Sequence, residues 1–241
     1  MYQDGPCKSD TKIRNDTFRT FKIDAEFWSK VKESQLTRVL NAFVRFYFHS
    51  KIFFIQLSRI SFVSLCYVVK ESNELSRKRV DSKTASGKPH NRRSPDGYYQ
   101  GMNILLAPFL FVMPELDSFA SFSCLILKHC PRYATQNLDG AHDGCTLVDR
   151  CLATLDAALH KHITSKITAQ IFAFPIVLTL LASLKPLREV LKVWDAIFAF
   201  GVHFHVVLYT VQLMLLRDRL LQEHNPYKYA LETIYYKCHF R

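Results

Sequence analysis

From residue 98 onward, the apolar residues of this chain recur at the spacing of a helix face, and no segment alternates as a half-buried strand would. Met102–Met113 is a near-continuous apolar run, interrupted by Pro108 and ended by Pro114. Within Asp117–Cys130, Phe119, Phe122, Leu125 and Ile126 stand at i, i+3, i+6 and i+7. Asn137–Gly140 reads as a turn before an amphipathic segment, Cys145–Leu159. Phe172–Ser183 is apolar nearly all round, as a central buried helix would be. Pro186 then opens a helix carrying Leu187, Val190, Leu191 and Trp194, which Gly201 can end. Val206–Leu221 reads as one last helix, stopped by Asn225-Pro226. The expected class is all-α, with Phe174, Val177, Leu180, Leu191, Trp194, Leu213 and Leu216 in the core.

The N-terminal part is organised differently. Residues 1–12 are polar and read as a frayed end. Asp24 can cap a helix whose face holds Phe27, Trp28 and Val31, and Glu33–Phe46 follows with Leu36, Val39, Leu40 and Phe43 at helical spacing. Ile52–Val69 is the one stretch near membrane-spanning length, but Arg59 sits at its middle, at a cost of about 2.5–3.5 kcal/mol on insertion scales. A membrane-anchored protein is therefore the weaker reading. Lys70–Gly97 is rich in Ser, Lys and Arg and reads as a basic linker, the expected first target of trypsin between Arg77 and Arg93.

Charge follows the same division. Residues 1–97 hold 19 Lys and Arg against 10 Asp and Glu, whereas residues 98–241 hold 13 against 11. No base-stacking or base-reading pattern accompanies the basic part, so a nucleic-acid partner is not expected. The seven cysteines have no CxxC spacing and read as free thiols. His142 with Cys145, and His203 with His205, are the candidate metal ligands, yet neither set has structural-zinc spacing, and no metal is expected. No P-loop, GxSxG or HExxH occurs.

Two short segments stand out for their chemistry. In Ile13-Arg14-Asn15-Asp16-Thr17-Phe18-Arg19-Thr20, Ile13, Asp16 and Arg19 share one face of a turn or short helix. Asp16 could orient the Arg19 guanidinium through a bidentate pair. An oriented guanidinium brought to a transferring γ-phosphoryl acts as an arginine finger. In Tyr98-Tyr99-Gln100-Gly101-Met102-Asn103, Gly97 and Gly101 bracket Gln100, so backbone can approach another surface there. A carboxamide in that setting can position an attacking water.

Together these segments resemble the IxxDxxRT and YxQGM signatures of the TBC domain, the Rab-type GTPase-activating fold. A third block, Ile171–Leu180, is followed by Glu189–Asp195 and Gly201, and is similar to the family's later blocks, which end in a Trp-Asp helix closed by glycine. Tyr98–Met113, His129–Pro131, Asn137–Gly140 and Phe200–His203 look most like the fungal spindle-position checkpoint branch of the family. The resemblance implies a GTPase-activating protein that supplies an arginine and a glutamine in trans. Those roles fall on Arg19 and Gln100, with Asp16, Tyr98 and Gly101 in support and with Trp194 and Asp195 packing or anchoring helices. It implies a small Ras/Rab-like GTPase as partner, a second subunit or scaffold, and a place in mitotic-exit or septation control, in the cytoplasm or at the spindle pole. No cofactor is implied for the chain itself, since GTP and magnesium belong to the GTPase.

The resemblance covers about 10–45 and 98–223. The expected organisation is 1–45 as the N-terminal part of the domain, 46–97 as an insertion or linker, 98–223 as the main helical core and 224–241 as a divergent tail. The family's first helix, ahead of the arginine motif, is missing, and 46–97 has no family counterpart. An incomplete or mis-spliced gene model is the expectation that follows. The competing reading is a non-catalytic helical adaptor that keeps the domain's surface, and the discriminating feature is whether Arg19 and Gln100 can face one surface.

Overall fold

A computed structural model of the protein describes residues 7–49 and 97–222. The expected insertion, the apolar stretch Ile52–Val69, the basic run Arg77–Arg93 and the tail after Gln222 lie outside the described residues. Among those described, regular structure is helical throughout and no strand is present. No described helix is long and apolar enough to cross a membrane.

The N-terminal part contributes α1 (Asp10–Thr17), α2 (Ala25–Lys30) and α3 (Glu33–His49). Asp10 is not frayed. Its carboxylate accepts from Arg14 Nε at 2.7 Å and from Asn41 Nδ2 at 2.8 Å, which draws α1 onto α3. The backbone N–H of Cys7 donates to Asn41 Oδ1 at 3.0 Å, so ordering begins ahead of the helix. Asp24 caps α2 as its position suggests, accepting from the Phe27 N–H at 2.9 Å.

The second part opens with α4 (Met102–Val112) and α5 (Glu115–Cys124). Pro108 lies inside α4 without ending it. A mid-helix proline costs about 3 kcal/mol. Burial of six apolar neighbours, among them Met102, Leu105, Leu106 and Phe109, returns roughly 1.5–3 kcal/mol for each large side chain. A π-helical turn, Leu125–His129, extends α5, and a 3₁₀ turn, Pro131–Ala134, leads to α6 (Asp139–Leu155). The segment expected to run through Leu159 breaks at Asp156. That residue caps α7 (Ala157–Thr164) by accepting from the Leu159 N–H at 3.0 Å.

The expected central helix over Phe172–Ser183 is not one helix. It is α8 (Ala169–Phe172), α9 (Phe174–Leu178) and a turn in which Leu180 and Leu181 are left-handed, at φ 50° and 69°. Left-handed residues stop an α-helix and cost roughly 1–2 kcal/mol each. Here they are held by burial of both leucines and by Trp194, whose Nε1–H donates to the Leu180 carbonyl at 2.8 Å. Thr179 Oγ1 closes the turn, accepting from the Ser183 N–H at 3.2 Å.

The last helices are α10 (Leu187–Phe200), α11 (Phe204–Leu215) and α12 (Arg217–Gln222). Pro186 is the N-cap of α10, one position earlier than expected. The predicted single helix Val206–Leu221 is interrupted at Leu216. Of the expected core, Val177, Leu180, Trp194, Leu213 and Leu216 are buried, but Phe174 and Leu191 are only partly so. Phe174 sits against His142, its ring centroid 4.9 Å away. Leu191 lines a shallow groove with Lys30 and Phe111.

Both parts share one core. Phe43 of α3 meets Phe122 of α5 edge-on at 5.0 Å. Arg38 forms a two-pronged pair with Glu115 at 2.9 and 3.0 Å, and Arg188 of α10 grips Glu26 of α2 at 2.8 Å. The N-terminal helices are thus packed onto the first two helices after the gap and tied to a late one.

Candidate functional site

The site is built where the end of α1 meets the start of α4. Helix α1 stops at Thr17, and the chain then turns through Phe18, Arg19 and Thr20. Ile13, Thr17 and Thr20 are buried and anchor the turn from beneath. Phe21, left-handed at φ 43°, reverses the chain just after it, with its ring buried edge-on against Phe27 at 5.1 Å. Arg19 itself is exposed, and among the described residues its side chain has no hydrogen bond or ion pair.

Gln100 stands on the turn that leads into α4 and is likewise exposed. Gly101, the N-cap, has φ 98°, a region that favours glycine, and a Cβ there would come within 3.2 Å of Leu178 Cδ2. Glycine therefore lets the turn lie down on the core while the residue before it points out.

Four side chains, Asp16, Thr20, Tyr98 and Asn103, join the two turns. Tyr98 donates its hydroxyl to Asp16 Oδ2 at 2.9 Å. Asn103, 5% exposed, donates from Nδ2 to the Asp16 carbonyl at 3.1 Å and to Thr20 Oγ1 at 2.9 Å. Thr20 Oγ1 in turn donates to the Asp16 carbonyl at 3.0 Å, and that carbonyl also receives the Arg19 N–H at 3.1 Å. Burial, followed by the neighbouring Asp16 carboxylate, pushes the Tyr98 hydroxyl far above the usual phenol range, so it remains a donor.

This differs from the expected pairing. Asp16 does not clasp the Arg19 guanidinium. A buried tyrosine hydroxyl needs an acceptor, and Asp16 supplies it. Arg19, beyond the helix end, extends outward instead. Asp16 and Tyr98, with Asn103 and Thr20, hold the two motifs in mutual register, while Gly101 seats the glutamine turn on Leu178, and Arg19 and Gln100 are exposed beside that junction. Sequence reasoning missed Asn103 and Thr20. The signal was present, because both are polar residues inside the quoted motifs, but nothing in one dimension says that they touch across 83 positions.

The other candidates are placed elsewhere. Trp194 is buried against Phe109 and Phe198, both at 5.3 Å, while Asp195 is exposed. His142 bonds Gln170 at 2.8 Å, and His205 lies between the Val202 carbonyl and Tyr133. Among the described residues no three His, Cys, Asp or Glu side chains are grouped to hold a metal ion. Cys130 and Cys145 are buried free thiols, and burial raises both to about 12.

The helical architecture, with an arginine turn and a glutamine turn joined by buried polar contacts, defines a class that sequence comparison also identifies. Residues 90–221 match the family model described as the Rab-GTPase-TBC domain, and the chain belongs to that family. The first motif precedes the matched region. Among curated proteins, the chain is similar to cell division control protein 16 of Schizosaccharomyces pombe, with 33% identity over 92% of this chain and 59% of that one. It is 31% identical to the putative mitotic check point protein BUB2 of Dictyostelium discoideum, over 94% of this chain and 49% of that protein. The mitotic check point protein BUB2 of Saccharomyces cerevisiae is 32% identical over 89% of this chain and 60% of its own length. The chain thus spans between about half and three-fifths of the length of these three relatives.

Proposed function

We propose that this chain is a GTPase-activating module for a small GTPase of the Ras/Rab type, acting in cell-cycle control. The observation that carries the reading is that Arg19 and Gln100 are both exposed, on turns bonded to one another through Asp16, Asn103 and Thr20. In the proposed complex the Arg19 guanidinium reaches the γ-phosphoryl and neutralises charge that develops in the transition state. Gln100 orients the attacking water. The GTPase brings nucleotide and magnesium, and this chain forms no covalent intermediate.

Two further features support docking at this place. Phe18 is 60% exposed and Ile23 is 82% exposed, so apolar side chains flank the arginine turn. The names of the relatives point to cell division and a mitotic check point, which supports the cell-cycle assignment. A second subunit or scaffold, and a location in the cytoplasm or at the spindle pole, belong to the same proposal.

The test is single-turnover GTP hydrolysis by a panel of purified Ras- and Rab-type GTPases, with and without candidate partner subunits. Acceleration that depends on Arg19 and Gln100 is expected. Tight binding of a GTPase without acceleration would favour the adaptor reading.

A further inference from the structure

Asn103 belongs neither to the pair proposed to face the nucleotide nor to the residues expected to support it, yet it is the buried link between them. Its carboxamide has two N–H donors, and both go to the arginine turn: one to the Asp16 carbonyl at 3.1 Å, the other to Thr20 Oγ1 at 2.9 Å. The Asp16 carbonyl can only accept, which fixes which end of the amide faces it. The carboxamide oxygen faces back to Tyr98, whose hydroxyl lies 3.5 Å away while it donates to the Asp16 carboxylate.

The two accepting groups bracket Arg19. Thr20 follows it directly, and the Asp16 carbonyl receives the Arg19 N–H itself. Asn103 sits on the first turn of α4, three residues after Gln100. One side chain therefore spans from the scaffold beneath Gln100 to the backbone on both sides of Arg19. Hydrogen bonds from a donor that is 5% exposed hold their geometry, because the donor is largely shielded from water.

We infer that Asn103 is a positioning residue that sets the distance between Arg19 and Gln100, with Thr20 as its anchor on the arginine turn. The inference rests on the GTPase-activating reading and adds to it. Docking would be left to exposed groups, and Asn103 would act only through the placement of Arg19. Misplacement of a catalytic group by about 1 Å can cost on the order of 10²-fold in rate.

The experiment combines two measurements on the full chain. In single-turnover assays with the GTPase that the wild type stimulates, Asn103→Ala should lower the rate at saturation by about 30-fold to 100-fold, with the half-saturating concentration changed by less than about 3-fold. In an Arg19→Ala background the same substitution should cost less than about 3-fold further, because its effect passes through Arg19. Thr20→Val, which removes only the hydroxyl, should reproduce part of the loss and be non-additive with Asn103→Ala. In the free chain, hydrogen exchange should rise over residues 14–21 in both variants and stay unchanged over α10 and α11, which also shows that the variants are folded.

An undiminished rate, a loss confined to half-saturation, or full additivity with Arg19→Ala would overturn the positioning role and leave the GTPase-activating reading standing. Unchanged exchange over 14–21 would overturn it too. A wild-type chain that accelerates none of the GTPases removes the functional reading, and this inference goes with it.

Discussion

Tyr98 and Asp16 are separated by 82 positions in sequence and by 2.9 Å in space. The bond makes one site out of two motifs, because each contributes half of a partly buried donor–acceptor pair. Tyr98→Phe removes the donor and keeps the ring. It should destabilise the fold by about 1–2 kcal/mol in urea titration, since a half-buried carboxylate loses its protein partner. The stimulated hydrolysis rate should fall as well, as the arginine turn loosens.

Arg19 and Gln100 are expected to act mainly in the transition state. Arg19→Ala should lower the stimulated single-turnover rate by about 10³-fold or more, with little change in ground-state binding. Arg19→Lys should not restore it, because an ammonium lacks the planar fork of the guanidinium. Gln100→Ala should be similarly harmful, and the double variant no worse than multiplicative. Full stimulation by Arg19→Ala would remove the finger assignment.

Phe18 and Ile23 should behave in the opposite way. They are exposed apolar groups beside the finger, so they can contribute to docking without entering the chemistry. Phe18→Ser and Ile23→Ser should each raise the half-saturating concentration about 3-fold to 30-fold, equivalent to roughly 1–2 kcal/mol of buried apolar contact. The rate at saturation should be kept. A fall in that rate instead would place these side chains in support of Arg19.

Trp194→Phe tests the turn at Leu180. The substitution keeps an aromatic ring against Phe109 and Phe198 but removes the Nε1–H that reaches the Leu180 carbonyl. Leaving that carbonyl unpaired should cost about 1–3 kcal/mol in urea titration. A neutral result would mean that the left-handed pair is held by leucine burial alone.

His205 gives the fold a pH dependence. It is fully buried; its Nδ1–H donates to the Val202 carbonyl at 2.6 Å, which leaves Nε2 to accept from the Tyr133 hydroxyl at 3.3 Å. Burial, against the Val202 bond and with His203 nearby, depresses it from 6.5 to about 4. The unfolded chain therefore binds a proton near pH 6.5 that the folded chain refuses until about pH 4. Stability from this group is complete above pH 6.5 and declines as pH falls toward 4, by up to about 3 kcal/mol. His205→Asn should flatten that part of the curve in urea titrations between pH 4 and 7.

Much of this was legible in one dimension. Helix faces such as Leu36, Val39, Leu40 and Phe43 are periodic because a core requires it, and all four are buried. The Asp24 cap and the Gly101 turn are local chemistry, written within a few residues. What was not legible depended on partners distant in sequence. Leu180 and Leu181 look like helix formers, and only Trp194, fourteen positions after Leu180, supplies the donor for the break between them. Asp16 looks like a partner for Arg19 at i+3, and only Tyr98 shows that its carboxylate is already engaged. Phe174 and Leu191 keep helical spacing but lie at the edge of the packed layer, which periodicity cannot distinguish from its centre.

The junction at Asp16, Tyr98, Thr20 and Asn103 also bears on how such a domain can vary. The two reactive turns are joined directly by side-chain contacts made at the meeting point, in addition to the packing of α3 against α1 and α4. For a connection that makes no contacts of its own, each doubling of length adds only about 0.6 kcal/mol to the entropy of closure. With α2 and α3 kept, a change in the length of such a contact-free connector should therefore be near-neutral, whereas one methyl-sized error at Asn103 should not. Descendants of one ancestral domain could then carry very different spacers between the same two turns.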